Sequence, residues 1–173
     1  KELNQELAIY EYIVLILVFF LFTVTALLIT PFVQLYTKDI VDTDYNQPLF
    51  GFLLVLAEAL YLIKLPHLNL AYSANKFKEI TVPAYIEAML NIMISVALVK
   101  WIGLIGVTIG TIVGMTYRMV FHVYYTSKIV PGRAQCIFYR KLFLFAAGAG
   151  GGFVFCYKLL PLQTCLLYTS PSP

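Results

Sequence analysis

Charge is scarce in this chain. Only 12% of its 173 residues are Asp, Glu, Lys or Arg, against about 25% in a typical soluble domain. Histidine is scarcer still, with His67 and His122 far apart, and Cys136, Cys156 and Cys165 are equally scattered. That supply is too thin for a zinc site or a disulfide framework, so neither a metal nor a cofactor is expected. No basic stretch interleaved with aromatics occurs, which argues against a nucleic-acid-binding face. Nucleophile–base pairs, HExxH, paired aspartates and GxSxG are also missing, so the chain is not expected to be an enzyme.

Apolar residues fill the space that charge leaves. They make up 61% of the chain, and mean hydropathy is +0.83. A water-soluble core of this size cannot hide so much apolar side chain. The expected fold class is all-α: a polytopic transmembrane helix bundle of about five spans, at 8–35, 49–72, 82–99, 102–125 and 142–160. Each approaches the roughly 20 apolar residues that cross a bilayer. Thr30 and Pro31 predict a kink late in the first span, Pro66 predicts a bend in the second, and Pro83 fits the first turn of the third. In the last, Gly148, Gly150, Gly151 and Gly152 predict a poor or broken helix, marking flexibility or close packing. They lack the Lys-Ser/Thr pair and the preceding strand of a phosphate loop.

Orientation follows from the cations. One side of such a bundle receives Lys1, Lys76, Lys78, Lys128, Arg133, Arg140 and Lys141, and the other only Lys38, Lys100 and Lys158. The richer side is expected to be cytoplasmic. The acidic connection with Lys38, Asp39, Asp42 and Asp44 then faces outward as a solvated turn, with too few ordered oxygen ligands for calcium. The chain opens without Met or a signal peptide, which reads as an internal fragment. Residues 165–173, CLLYTSPSP, resemble the translation of a sequencing-library adapter. On that reading, 1–164 is the membrane portion, and Cys136 and Cys156 are its natural thiols.

The candidate functional residues are the ionisable ones inside spans. Glu87, Asn91 and Ser95 recur at steps of four, so they share one helix face. They suit either interhelical hydrogen bonding or the wall of a hydrophilic cavity. Arg118 lies at a matching depth on the next helix, placed to approach Glu87, to meet an anionic headgroup or to snorkel to the interface. Glu58 falls near the midplane, where an unshielded charge costs about 2.5–3.5 kcal/mol. It suits a coupling proton or sodium ion, or a neutral glutamic acid bonded within the bundle. Lys64 is six residues from Glu58 and points to another face; it is an interfacial anchor or a phosphate contact. Gly106, Gly110 and Gly114 form overlapping GxxxG steps, a helix-packing ladder.

The stretches ITPFVQLYTKDIVDTDYNQPLF, LLVLAEALYLIKLPHLNL and above all YIEAMLNIMISVALVKWIGLIGVTIGTIVGMTYR resemble polysaccharide-biosynthesis flippases of the O-antigen and capsular repeat-unit type. These belong to the multidrug, oligosaccharidyl-lipid and polysaccharide exporter superfamily. The resemblance covers roughly 10–128. It implies a multi-pass protein of the bacterial inner membrane, with two helical bundles of which this chain carries part of the second. It also implies alternating-access transport of undecaprenyl-diphosphate-linked oligosaccharide repeat units. Lys64 and Arg118 would then contact the diphosphate; Glu87 and Asn91 are further substrate-binding candidates from their own stripe, and Glu58 is the candidate coupling-ion site. A cation-coupled multidrug exporter of the same fold and a polytopic enzyme acting on lipid-linked sugars are the rival readings. The short connections between spans count against the enzyme.

Overall fold

The computed structural model describes residues 2–36, 47–130 and 132–159. The acidic connection around Asp39, Asp42 and Asp44 and the terminal stretch 165–173 lie outside the described residues. Within them the chain is all-helical: α1 (Glu2–Tyr36), α2 (Pro48–Ile63), α3 (Leu65–Ser73), α4 (Phe77–Ile102), α5 (Leu104–Ile129) and α6 (Gln135–Leu159). With α2 and α3 taken as one broken span, five helices are long and apolar enough to cross a bilayer. The protein is therefore an all-α bundle of the multi-pass membrane type.

Pro66 explains the break between α2 and α3. It has no N–H to offer the helix, and its ring crowds the carbonyl of Leu62 one turn back. The chain turns at Lys64 and restarts at Leu65, with the Leu68 N–H donating to the Lys64 carbonyl at 3.0 Å. Pro31 does not interrupt α1, which runs on to Tyr36.

Several features differ from the hydropathy reading. α4 begins at Phe77, so Pro83 lies inside the helix and not in its first turn. Glu79 in the opening turn favours that earlier start, because a carboxylate there meets the positive end of the helix dipole. α6 begins at Gln135, since Phe138 and Lys141, three apart, both turn inward and carry the helix past the last charges. The run Gly148, Gly150, Gly151 and Gly152 is continuous helix. A Cβ at any of the four would meet nothing within 4 Å, so close packing is not its role among the described residues. In lipid, an unpaired backbone group costs several kcal/mol, more than the roughly 1 kcal/mol that glycine costs a helix in water.

The helices form a row. α4 lies beside α5, α5 beside α2 and α3, those beside α1, and α1 beside α6. α3 also reaches α4, and α5 also touches α6. The tightest seam joins α4 and α5 across the turn at Gly103, whose φ of 58° suits glycine. A Cβ at Gly106 would fall 2.7 Å from the Leu98 carbonyl carbon, one at Gly110 2.9 Å from the Asn91 carbonyl oxygen, and one at Gly114 3.1 Å from that of Glu87. The glycine ladder of α5 thus lies directly on the polar stripe of α4. Farther along the row, Leu15 and Val18 of α1, Ala59 and Ile63 of α2, Met119 and Val123 of α5 and Phe138 of α6 form the main apolar core. Large apolar side chains such as Phe20, Phe32, Met93, Trp101 and Phe143 point outward, the distribution a bilayer covers.

Candidate functional site

Two carboxylates lie inside the bundle, and each is held by two cations. One is Glu87, ten residues into α4 and so about 15 Å along its axis. An Arg118 guanidinium N–H donates to Glu87 Oε2 at 2.5 Å, and Lys64 Nζ lies 3.5 Å from Oε1. Lys64 has 0% of its surface exposed and Glu87 8%. The break at Lys64 is what aims this side chain across α5 toward α4: Nζ lies 3.4 Å from Met115 Sδ and 4.5 Å from the Tyr61 ring centre. Arg118 Nε also donates to His122 Nε2 at 3.4 Å. With one carboxylate between two cations, the cluster carries a net positive charge in a poorly hydrated place. Each cation there needs its partner, because removing one member of a buried pair typically costs about 3–5 kcal/mol.

Asn91 and Ser95 continue the α4 stripe away from Glu87. The Ser95 hydroxyl donates to Asn91 Oδ1 at 2.9 Å, and the Thr111 hydroxyl of α5 lies 3.4 Å from the same oxygen. The first bond lies within α4, and the second joins α4 to α5 beside the glycine ladder. Of the residues singled out above, Lys64, Glu87 and Arg118 come together, and Asn91 is one turn away. Glu58 makes no ion pair with them, although its charge reaches Lys64. It is exposed on α2, on the face that carries Leu54 and Tyr61, and makes no ion pair among the described residues.

The second carboxylate, Glu11, falls within the expected first span at 8–35 but is not among the residues singled out above. It is 1% exposed. Arg133, from the connection between α5 and α6, pairs with Oε1; Lys141 Nζ of α6 lies 3.6 Å from Oε2; and His67 Nε2 of α3 lies 3.5 Å from Oε1. Arg133 also donates to Asn4 Oδ1 at 2.8 Å. His67 Nδ1 lies 3.2 Å from the Thr126 hydroxyl of α5, and the His67 ring packs edge-on against Phe138. A signal was present: Leu7, Glu11, Leu15 and Val18 fall at helical steps and form the buried stripe of α1. A carboxylate inside an apolar stripe is a buried charge that must find cations.

Arg118, His122 and Thr126 recur at steps of four on α5, so one face of that helix connects the two clusters. Among the described residues, the buried side-chain N and O atoms without a hydrogen-bond partner are Glu11 Oε2, His67 Nε2 and His122 Nδ1, the last of them on this face of α5. Among the described residues, no three His, Cys, Asp or Glu side chains gather as metal ligands. No family model, curated protein or solved structure matches the chain.

Proposed function

We propose that this chain is part of a carrier that moves undecaprenyl-diphosphate-linked oligosaccharide repeat units across the bacterial inner membrane by alternating access. The observation that carries the reading is the Lys64–Glu87–Arg118 cluster, two cations on one carboxylate between three helices. A diphosphate offers the same partners more negative charge than Glu87 does, and Arg recognises it through a planar fork of donors. In this reading Glu87 holds Lys64 and Arg118 in place when substrate is absent, and the diphosphate exchanges with it. The exterior of apolar side chains leaves the prenyl tail in lipid while the sugar head crosses against a further bundle of the same protein. The resemblance of 85–118 to repeat-unit flippases supports the same substrate class.

The test is complementation of a strain lacking the carrier with the complete gene product. Lys64→Ala and Arg118→Ala are expected to abolish surface polysaccharide while lipid-linked precursor accumulates, each scored against its own level of protein in the membrane. Normal polysaccharide in both variants removes the assignment. Drug resistance without a glycan defect favours the cation-coupled exporter instead.

A further inference from the structure

Glu11 has no part in the diphosphate site, yet it is the most enclosed carboxylate among the described residues. The groups facing it come from every neighbouring element that bears charge there. α3 contributes His67, α6 contributes Lys141, and the connection between α5 and α6 contributes Arg133. Around His67 stand Thr126 of α5 and the Phe138 ring of α6, with His122 within electrostatic reach. From α1 itself, Asn4 holds Arg133 and the Tyr12 ring lies 4.0 Å below Lys141 Nζ. The facing core residues of α2, Ala59 and Ile63, are apolar.

Two features set this cluster apart from a simple ion pair. First, a histidine faces the carboxylate at 3.5 Å, and Thr126 fixes its other nitrogen. The imidazole so placed puts a second proton-accepting group beside the carboxylate. Second, Glu11 Oε2 is buried without a hydrogen bond and has Lys141 Nζ 3.6 Å away, so a proton on that oxygen competes directly with the ion pair. Arg133 and Lys141 have long side chains at the cytoplasmic rim, where both can withdraw to water and headgroups. Arg133 lines an open cleft of about 350 Å³ between α1 and the start of α6, with Asn4, Ala8 and Ile137.

We infer that Glu11 and His67 form a proton-binding site, and that a proton and the Arg133–Lys141 clamp compete for it. A proton from cytoplasmic water adds to Glu11 Oε2 and forms one O–H bond; nothing is oxidised or reduced. The neutral acid no longer holds two cations, which leave for the rim. The start of α1 is then free of α6. Two cations left against a protonated acid would leave uncompensated charge in the interior, so loading and clamping exclude one another. As the coupling site of a carrier this rests on the reading above, and it moves the coupling group from Glu58 to Glu11.

The test uses the complete gene product in lipid nanodiscs, with its cysteines replaced by serine and with Ala8→Cys and Ile137→Cys across the cleft. Bridging by a short bifunctional maleimide, normalised at each pH to single labelling of the same two cysteines, is expected to fall about tenfold from about pH 8 to about pH 5, and to be low at both in Glu11→Gln. In parallel, the infrared band of a protonated carboxyl should grow on acidification, disappear in Glu11→Gln and persist in Glu58→Gln. Should Glu11→Gln fail to fold, His67→Asn must shift the pH at which that band appears. Bridging that ignores pH, or a band that survives Glu11→Gln or ignores His67→Asn, overturns the inference. A band that tracks Glu11 in a protein whose polysaccharide complementation fails leaves the proton site standing and removes only the glycan carrier.

Discussion

At the scale of single residues, Lys64 separates stability from activity most sharply. It is a fully enclosed cation sharing Glu87 with Arg118. Replacing it by a side chain of similar length leaves the Arg118–Glu87 pair intact and removes the excess positive charge. Buried ions exchanged for well-packed apolar groups are often neutral or stabilising by about 1–4 kcal/mol. Lys64→Met should therefore keep or raise the thermal midpoint in detergent while abolishing transport. A fall of several degrees with transport retained would contradict the role given to it. Glu58→Gln, on an exposed face with no ion pair, should change stability by no more than about 0.5 kcal/mol in the same assay.

At the scale of elements, the two sets of glycines behave oppositely. Gly110 stands where a Cβ would meet the Asn91 carbonyl at 2.9 Å, whereas Gly150 faces open space. Gly110→Ala should push α4 from α5 and cost about 1–3 kcal/mol. Gly150→Ala should be neutral or gain up to about 1 kcal/mol from helix propensity. Thermal midpoints of the two variants check this, and equal effects would refute the distinction. These elements also show what a sequence reveals. The four-residue steps of Gly106, Gly110 and Gly114 and of Glu87, Asn91 and Ser95 identify faces, because helical geometry alone fixes them. Spacing could not reveal that α5 lays its glycines on that stripe. The same limit hid the Glu11 cluster, whose members are contributed by α1, α3, α6 and the connection between α5 and α6. Hydropathy treats Lys141 as the end of a loop, because its value depends on Glu11 more than a hundred residues earlier. The helical glycine run of α6 was hidden for another reason: propensity measured in water understates how strongly lipid enforces backbone hydrogen bonding.

At the scale of the whole molecule, the row of helices places the ends of α3 and α5 and the starts of α1, α4 and α6 on one side of the bilayer, the side rich in Lys and Arg. In a cysteine-free background, Asn75→Cys should react with a membrane-impermeant maleimide only after permeabilisation, and Lys100→Cys should react from outside in intact cells. The reverse pattern would invert the bundle. The same architecture brings Glu87 of α4 and Arg118 of α5 together inside the membrane, and the central claim is that this buried ion cluster ties the helices to one another. A double-mutant cycle of Glu87→Gln and Arg118→Gln, read by unfolding in lipid-like detergent, tests it most directly. The account predicts a coupling energy of about 1.5–3 kcal/mol; additive effects, with coupling near zero, would contradict it.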